Sequence, residues 1–431
     1  MRIAIVGTGI AGNGAAWALS HNKNIDLTIF EQEGRLGGHS ATVEVANAKT
    51  SVAVDTGFIV YNELNYPHFT NLMSHLGVRT QDSDMSFSLS DEASGQEWCG
   101  RSQNVLSGLF ARKQNLFSPS FMNMLLEVRK FGKTAIKDLE EGRLTGLSLG
   151  EYLDESHFSK ELQDYYLIPM GAAIWSMPIT RIPDFPAESY VAFFRNHHLL
   201  QWDRPVWRTV SGGSREYVKV LTQPFADRIR KNTKVISIRR DTDGVILKTE
   251  DGKTEKFDKA IIATHSDQAL IMLEDSSEAE QLILGSIKYR SNDVILHKDQ
   301  RLMPRRRAAW ASWNVHQSLQ RQEDLCVTYW MNILQDIDKT FPLFVTLNPD
   351  RDIPEEHVFG RFSYAHPQFD AAAMTAQTRL NDIQGKRHIW FCGAWTGYGF
   401  HEDGLKSGFD VARALGGIIP WEQSPMLEAA E

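Results

Sequence analysis

Three closely spaced glycines near the start of the chain could bind a phosphate-bearing ligand. Gly7, Gly9 and Gly12 have the GxGxxG spacing of a dinucleotide-binding loop. Glycine permits a tight turn at the first position, lets the backbone approach a pyrophosphate at the second, and allows a helix to pack closely on a strand at the third. Ile10 and Ala11, between the last two glycines, would then present free N–H groups to the phosphates.

The elements around these glycines are the ones that the motif requires. Apolar and small residues predict a strand, a helix and a second strand at Arg2–Val6, Ile10–Ser20 and Asp26–Phe30. Glu31 lies 19 residues after Gly12, at the end of the second strand, where a carboxylate can accept hydrogen bonds from ribose hydroxyls. We therefore predict a βαβ nucleotide-binding unit, with Glu31 near the ribose and the adjacent Gln32 also binding the cofactor.

A second glycine pair follows the predicted ribose carboxylate. The segment Gly34–Ser40 reads GRLGGHS, which a simple NAD-binding domain does not need. Gly37 and Gly38 let another backbone segment pack against an extended cofactor, and Arg35 can place a cation near the pyrophosphate. His39 is expected to cap this turn or to contact a phosphate. This continuation favours FAD over NAD.

Together these motifs resemble the flavin-containing amine oxidase and phytoene-desaturase superfamily. The resemblance extends to FCGAWT at Phe391–Thr396 and HEDGLKSG at His401–Gly408, which are similar to the last strand of that family and to the helix start that faces the flavin. It implies one non-covalently bound FAD. It also implies an FAD-binding Rossmann-like domain of the glutathione-reductase type.

The resemblance implies further contacts with the cofactor. It places Gly57, Phe58 and Ile59 beside the isoalloxazine ring, and the backbone near Val235 at the adenine. The other contacts that it implies lie at the ends of two later strands and at the start of the last helix: Ala263, Thr264, Gly393, Asp403, Gly404 and Leu405. The N–H groups of Gly404 and Leu405 are expected to stabilise negative charge on the reduced flavin.

Few catalytic side chains are expected, because flavin itself carries the two-electron chemistry. Tyr398 and His401 come just before the helix predicted at about Leu405–Leu415, and we predict that they line the reactive edge of the flavin. An imidazole can take up and release a proton near neutral pH, so His401 is the candidate for proton transfer. A purely structural hydrogen-bonding role is the alternative for His401.

The amino-acid sequences of several other segments bear on the substrate. DMSFS at Asp84–Ser88 and TYWMN at Thr328–Asn332 are similar to a bacterial group labelled predicted NAD/FAD-binding proteins. Such proteins tend to be encoded beside cyclopropane-fatty-acid-synthase-like enzymes, so the resemblance implies work on lipid. We expect an FAD-dependent oxidoreductase that removes hydride from an apolar substrate, such as a lipid acyl chain, by desaturation or oxidation. The alternatives are a flavin amine oxidase that produces hydrogen peroxide and a non-enzymatic, flavin-bound lipid-binding module.

The order of the elements predicts an α/β fold with two interleaved domains. The FAD-binding domain is expected to comprise residues 1–85, 206–290 and 385–420. An α+β substrate domain is expected to comprise residues 86–205 and 291–384, with a helical insertion at about 105–200. Strand-like runs between Asn292 and Pro349 are expected to form a second sheet in that domain.

Composition excludes several other classes of protein. The 431 residues carry a formal net charge of −8, a mild balance that does not suggest the basic surface required for binding nucleic acid. Cys99, Cys326 and Cys392 lie far apart, which predicts neither a disulfide framework nor a metal site and fits a reducing cytoplasm. No run of residues is long and apolar enough to span a bilayer, and we expect no targeting segment.

One segment leaves peripheral membrane contact open. Residues 106–137 combine phenylalanines, leucines and methionines with six basic residues, a composition that can rest on an anionic bilayer. A core helix with a solvated basic face is the alternative. The expected partners are a small-molecule or lipid substrate and no nucleic acid, and no oligomeric state is predicted.

Overall fold

Five parallel strands form a central sheet in the nucleotide-binding half of the protein. Their order across the sheet is Ile229–Arg230, Asp26–Phe30, Arg2–Val6, Lys259–Ile262 and Ile389–Phe391. The computed structural model describes residues 1–46, 51–100, 105–197, 199, 205–319 and 325–422. The first strand, the first helix and the second strand occupy the residues expected from the sequence, and the α/β fold class is confirmed.

Apolar side chains cover both faces of this sheet. Ile3 and Ile5 pack into one hydrophobic core and Ala4 and Val6 into another, because alternate residues of a strand point to opposite faces. The first core includes side chains of the helices Ile10–Ser20, Arg215–Thr222 and His401–Ala414. The second core includes side chains of the helices Ser266–Met272, Glu278–Ser286 and Ala371–Thr378.

The first and last helices of the sheet's first face touch backbone to backbone. A Cβ atom on Gly408 would lie 2.2 Å from the carbonyl oxygen of Ala11, and one on Gly404 would lie 2.8 Å from Cγ2 of Ile10. A larger side chain at either glycine would therefore force the two helices apart. Both helices begin at the carboxyl edge of the parallel sheet, where ligands of open α/β sheets bind.

A seven-stranded mixed sheet forms the other half of the protein. Its order is Val358–Gln368, Lys288–His297, Phe344–Leu347, Cys326–Trp330, Trp313–Gln317, Phe87–Asp91 and Glu97–Gly100. Trp313–Gln317 and Phe87–Asp91 run parallel, and the other neighbouring pairs run antiparallel. Val358–Gln368 lies at one edge of this sheet, and most of its residues are half-buried.

Helices pack against the seven-stranded sheet. Between residues 105 and 197 the α-helices are Val105–Leu109, Pro119–Glu140, Leu149–Glu155, Lys160–Leu162, Ile168–Trp175 and Ala187–Asn196. Except for Val105–Leu109, the buried side chains of these helices join those of the sheet in one hydrophobic core. The remaining α-helices of the described ranges are Pro67–Leu76 and Met331–Leu334.

Three small antiparallel sheets connect these parts. One is a meander of Val235–Asp241, Gly244–Thr249 and Thr254–Phe257, whose second turn contains Gly252 at a φ of +85°. The second pairs Thr42–Ala46 with Ser51–Asp55. The third has the order Tyr61–Asn62, Trp207–Val210 and Thr80–Ser83.

A buried carboxylate joins the two halves. Asp55 is fully buried, and its side chain accepts a hydrogen bond from the amide of Gln335 (3.0 Å), while its N–H donates to the amide oxygen of Gln335 (2.9 Å). The hydroxyls of Thr42 and Ser214 donate to the same carboxylate (2.6 and 2.8 Å). Gln335 follows the helix Met331–Leu334 of the second half, so this reciprocal pair fixes the two halves against each other.

Two boundaries differ from those expected. The last helix runs from His401 to Ala414 and so begins four residues before the expected start at Leu405. It begins earlier because the carboxylate of Asp403 accepts the N–H groups of Tyr398 and Phe400 (3.1 and 2.9 Å) and stabilises the first turn. The strand Lys288–His297 crosses the domain boundary expected at residue 290, and the domain assignment otherwise stays a prediction.

Three further observations concern cysteines, metals and membranes. Cys99, Cys326 and Cys392 are all buried, and within the described ranges none of them forms a disulfide. Over the ranges that the structure describes, no three or more His, Cys, Asp or Glu side chains are arranged to hold a metal ion. In the same ranges, no helix combines the length and the apolar character needed to cross a bilayer.

Glu402, in the first turn of the last helix, caps a second helix. Its carboxylate accepts the N–H groups of His68 (2.8 Å) and Phe69 (2.9 Å), at the start of Pro67–Leu76. A carboxylate at this end also interacts favourably with the helix dipole. Glu402 is only 9% exposed, and burial raises its pKa to about 7. The folded protein therefore holds this proton more tightly than the unfolded chain does.

We expect the variant Glu402→Gln to reveal how this group couples stability to pH. The pKa of Glu402 is higher in the folded protein than in the unfolded chain. Its protonation therefore contributes fully to stability below about pH 4.5, and this contribution is lost as the pH rises through about 7. Glutamine does not titrate. Relative to that of the variant, the unfolding free energy of the wild type should therefore fall by about 1–3 kcal/mol between about pH 5 and pH 8.

Urea unfolding at the two pH values measures this difference. Glu278→Gln, which changes an exposed carboxylate in the first turn of another helix, is the matched control. A difference that stays constant with pH, or that moves in favour of the wild type as the pH rises, would contradict the raised pKa of Glu402.

Candidate active site

The first helix begins in a loop that requires glycine at two positions. Gly7 has a φ of +102°, and its N–H donates to the carbonyl oxygen of Phe30 (2.9 Å). A Cβ atom on Gly12 would lie 2.0 Å from the carbonyl oxygen of Gly7. In contrast, a Cβ atom on Gly9 would meet no atom within 4 Å, and the φ of −64° at Gly9 is open to any residue. The protein itself needs glycine at positions 7 and 12, whereas glycine at position 9 leaves room for a ligand.

Backbone N–H groups lie around the open space beside Gly9. The N–H of Asn13 is bonded inside the helix, to the carbonyl oxygen of Gly9 (2.9 Å). The N–H groups of the preceding turn have no intrahelical acceptor, and they belong to Ile10, Ala11 and Gly12. Together with the positive end of the helix dipole, these groups suit a pyrophosphate.

The carboxylate expected at the ribose is held at the end of the second strand. Glu31 accepts the N–H of Thr8 (3.0 Å) through Oε2 and the N–H of Glu33 (2.9 Å) through Oε1. A carboxylate has about four lone-pair sites, so Glu31 can still accept a bond from a ribose hydroxyl. The N–H of Thr233 donates to the carbonyl oxygen of Glu31 (2.8 Å) and brings the segment before Val235 to the same place.

The second glycine pair packs directly on the first loop. The N–H of Gly37 donates to the carbonyl oxygen of Thr8 (3.0 Å), and a Cβ atom on Gly38 would lie 3.1 Å from Cα of Gly9. Arg35 donates through Nη1 to the carbonyl oxygen of Gly38 (2.7 Å). The guanidinium therefore holds this turn in place beside the expected pyrophosphate.

The segment Gly57–Ile59 lies against the same turn. The N–H of Phe58 donates to the carbonyl oxygen of His39 (2.8 Å), and a Cβ atom on Gly57 would lie 2.2 Å from that oxygen. Only glycine fits at position 57. The structure thus brings the segment expected beside the isoalloxazine ring into contact with the segment expected beside the pyrophosphate.

The remaining predicted residues lie mainly at the ends of the central strands. The N–H of Ala263 donates to the carbonyl oxygen of Val6 (2.8 Å), and the ring N–H of Trp395 donates to the carbonyl oxygen of Thr264 (3.1 Å). Gly393 donates its N–H to the hydroxyl of Ser407 in the last helix (2.9 Å). Gln32, in contrast, has an exposed side chain. The contacts of all these residues with the cofactor stay predictions.

The start of the last helix corrects one expectation. The N–H of Gly404 donates to the carbonyl oxygen of Phe400 (3.1 Å), so Gly404 already lies within the helical hydrogen-bond pattern, and Leu405 follows it. The expectation that these two N–H groups are free to face a flavin is therefore wrong. The N–H groups without an intrahelical acceptor belong instead to the first three helical residues, His401, Glu402 and Asp403.

His401 is held by contacts inside the protein. Its Nε2 lies 2.7 Å from the hydroxyl oxygen of Tyr217 and 3.4 Å from that of Ser40, and its ring stacks on Phe58 with 3.8 Å between centroids. Burial lowers the pKa of His401 to about 3, so its imidazole is neutral at physiological pH. This geometry supports the structural alternative for His401, and proton transfer by this residue stays a prediction.

Tyr398 lies in the loop before the last helix and faces the helical insertion. Its ring packs edge-on against Phe193, with 5.8 Å between centroids, and Phe400 stacks on the same ring at 5.0 Å. Burial raises the pKa of Tyr398, so its hydroxyl keeps its proton. Tyr398 therefore lines the junction between the two halves, and its catalytic role stays a prediction.

Three histidines meet beside the segment Gly57–Ile59. Of these, the sequence singled out only His39, which was expected to cap the glycine-pair turn or to contact a phosphate. The ring centroid of His39 lies 5.6 Å from that of His366 and 6.4 Å from that of His265. Burial lowers the pKa of all three, and neighbouring imidazoles lower it further for His39 and His366, to about 3 and about 4. The cluster is therefore uncharged at neutral pH. Within the described ranges, the buried Nε2 of His39 has no hydrogen-bond partner.

His366 belongs to a wall on the edge strand Val358–Gln368. Phe362, Tyr364 and His366 are spaced two apart and share one face of this strand. The rings of Phe362 and Tyr364 are parallel, with 6.1 Å between centroids. The hydroxyl oxygen of Tyr364 lies 2.8 Å from that of Thr56, directly before Gly57. The F-x-Y-x-H alternation could have identified this wall, but not the partner that it faces.

These residues fit a dinucleotide with a flavin at one end. The open side of Gly9 and the N–H groups of the first turn suit the phosphates, and Glu31 suits a ribose. The unpaired Nε2 of His39 can bond a polar group that the protein does not supply. FAD, which the sequence resemblance implies, carries groups of each kind.

We expect replacement by alanine to affect cofactor binding at Gly9 and protein stability at Gly12. Gly9→Ala should leave the unfolding free energy of the apo-protein unchanged within about 0.5 kcal/mol, because the added Cβ meets no protein atom. It should weaken FAD binding about tenfold or more, because the methyl group occupies the room beside the phosphates. Gly12→Ala should destabilise the apo-protein by about 2 kcal/mol or more, because its Cβ would meet the backbone of Gly7.

Urea unfolding of the two apo-proteins and titration with FAD, followed by quenching of flavin fluorescence, measure these effects. Each variant serves as the control for the other. Wild-type affinity for FAD in Gly9→Ala would show that the cofactor does not approach this backbone.

Comparison with known proteins places the chain in a family. The model of the family described as flavin containing amine oxidoreductase matches residues 10–332. Similar solved structures include wild-type putrescine oxidase bound to putrescine, at 13% identity and a TM-score of 0.66, over 96% of this chain and 99% of that one. A CLA-producing fatty acid isomerase from P. acnes has 16% identity and a TM-score of 0.66, over 96% and 98%.

A third solved structure is cyclohexylamine oxidase from Brevibacterium oxydans IH-35A, at 15% identity and a TM-score of 0.66, over 96% of this chain and 98% of that one. At such identities, the likeness to solved structures shows the fold alone. The family match, however, covers most of the chain and includes the first helix and the segments around His39 and Gly57. The chain therefore belongs to the flavin-containing amine oxidoreductase family and is an FAD-dependent oxidoreductase.

Proposed function

We propose that this oxidoreductase removes hydride from an apolar substrate, and that this substrate is a lipid acyl chain. The observation that carries the proposal is the uncharged wall of Phe362, Tyr364 and His366, which contacts Thr56, directly before the segment expected beside the flavin. An alkyl chain gains about 0.8 kcal/mol for each CH₂ group that leaves water for an apolar surface. Such a wall therefore favours a hydrocarbon substrate.

The polar atoms of the wall are neutral and largely bonded within the protein. The side-chain amide of Asn292 donates to Nδ1 of His366 (2.9 Å), which places the ring proton of the neutral imidazole on Nε2. The amide oxygen of Asn292 accepts from Asn348 (2.8 Å), and this second bond fixes the orientation of the amide. The lowered pKa values of His39 and His366 keep both rings uncharged. A surface of this kind keeps water away from a C–H bond.

A protonated amine suits this surface less well. A desolvated ammonium group requires a carboxylate or a comparable partner. The carboxylate of Asp55 already accepts hydrogen bonds from Thr42, Ser214 and Gln335. An amine oxidase with this wall would bind its substrate as the neutral amine, and amine oxidation is the outcome against which the proposal is tested.

Bound FAD supplies an acceptor for two electrons, taken up as hydride. In a desaturation, one carbon of the acyl chain would give up a hydride to this acceptor, its neighbour would release a proton to solvent, and a C=C bond would form between the two carbons. Reoxidation of the cofactor would require a two-electron acceptor such as dioxygen. The residues of the wall orient the acyl chain and exclude water. The similar fold of a protein named as a fatty acid isomerase is compatible with this substrate class.

We expect the oxidised flavin of the purified holo-protein to be bleached by lipid under anaerobic conditions. Acyl substrates should reduce it because their chains bury apolar surface against the wall. Absorbance titrations with extracted bacterial phospholipids, free fatty acids and a panel of amines measure this directly. Bleaching by amines alone would contradict the proposal. So would a flavin that dithionite reduces but that neither class of substrate bleaches.

Two variants of the wall serve as a matched pair in this titration. His366→Asp introduces a negative charge and should slow reduction by acyl chains about tenfold or more, without slowing any reduction by amines. Tyr364→Phe removes only the hydroxyl that bonds Thr56, and it should change the rate by less than about threefold. Equal effects of the two variants on acyl chains would indicate that the charge state of the wall does not select the substrate.

A further inference from the structure

The start of the helical insertion exposes apolar side chains in one short stretch. Of the fourteen large apolar residues that are exposed within the described ranges, six lie between residues 105 and 126. Phe117 is 87% exposed, Leu106 72% and Leu126 70%. We call these residues, together with Val105, Leu116 and Met122, the apolar patch. Such a concentration of exposed apolar side chains marks an interaction site.

The patch is held by a well-packed framework. The N–H of Phe110 donates to the carbonyl oxygen of Leu106 (3.1 Å), and the ring of Phe110 packs against buried Phe121, with 6.3 Å between centroids. Phe117 directly precedes Ser118, whose hydroxyl accepts the N–H of Phe121 (3.3 Å) and caps the helix Pro119–Glu140. The exposed side chains therefore stand on fixed backbone.

The same helix continues the patch as a basic stripe. Met122 and Leu126 lie on its exposed face in the first two turns, since residues four apart share one side of a helix. The exposed positions that follow on this side are Arg129, Lys130 and Lys133. We call these three residues the basic stripe. The helix is therefore apolar at one end of its exposed face and cationic along the next turns.

The charge of this region opposes that of the whole protein. Residues 105–137 contain six basic residues and one acidic residue, Glu127, in a chain of formal net charge −8. The carboxylate of Glu127 accepts the N–H of Ser159 (3.3 Å) and so is engaged with a neighbouring helix. Ion pairs of the nearby surface involve Lys137 and Arg143, whereas Arg129 and Lys133 form none with the residues that the structure describes.

We infer that the apolar patch and the basic stripe dock the protein on the surface of an anionic phospholipid bilayer. The apolar side chains would enter the interface, and the cationic groups would meet the phosphates of the head groups. A second copy of this chain is a poorer occupant, because its basic stripe would face like charge. The inference goes beyond the proposed function, and docking is measured without any turnover.

Sedimentation of the holo-protein with vesicles tests this inference. We expect binding to vesicles of phosphatidylcholine that contain about one third phosphatidylglycerol, much weaker binding to phosphatidylcholine alone, and weakening of the first by salt. The double variant Phe117→Ala/Leu126→Ala and the double variant Arg129→Glu/Lys133→Glu should each weaken binding about tenfold or more. All four positions are exposed, and retained flavin absorbance shows that the variants are folded.

Two distant exposed positions provide the controls. Ile271→Ala removes an apolar side chain that is 81% exposed on another helix, and Lys23→Glu reverses an exposed charge that follows the first helix. Neither control should change vesicle binding. The inference is wrong if wild-type protein binds neither vesicle, if it binds both equally, or if the patch and stripe variants bind as wild type does. Dispersal of a self-associated form by Phe117→Ala/Leu126→Ala, without vesicle binding by the wild type, would assign the patch to a protein contact instead.

Discussion

The backbone contact between the first and last helices is the constraint on which the cofactor site depends. Gly408 packs on the carbonyl group of Ala11 and Gly404 packs on Ile10, although the two helices come from opposite ends of the chain. Their N-termini therefore lie together at the carboxyl edge of the central sheet. One positive helix end suits the phosphates, and the other suits the flavin. A larger side chain at either glycine would separate the two ends of the site.

A second constraint sets the other side of the site. The reciprocal bonds between Asp55 and Gln335, and the bond between Thr56 and Tyr364, hold the edge strand of the seven-stranded sheet against the segment before Gly57. This contact brings His366 to His39, and burial then keeps both imidazoles neutral. The polarity of the proposed substrate surface is thus a consequence of how the two halves meet, rather than of any single side chain.

The nucleotide-binding unit could be predicted from the sequence because its determinants are local. The GxGxxG spacing, the flanking apolar runs and Glu31 act within a short stretch of chain, and each lies where the pattern placed it. The true start of the last helix was missed because it depends on a carboxylate, Asp403, that caps N–H groups ahead of it. The histidine cluster was missed for a different reason. Its members come from three remote segments, and no local pattern records which strand edge will lie against His39.

The position of the flavin ring in a crystal structure of the FAD complex tests the central claim most directly. The account predicts a pyrophosphate beside Gly9 and an isoalloxazine ring between the first turn of the last helix and the wall of Phe362, Tyr364 and His366. The ring should either be in van der Waals contact with the side chains of Tyr364 and His366 or be separated from them by the width of one substrate chain. A ring turned away from this wall would contradict the account, because the uncharged surface could not then hold the substrate against the flavin.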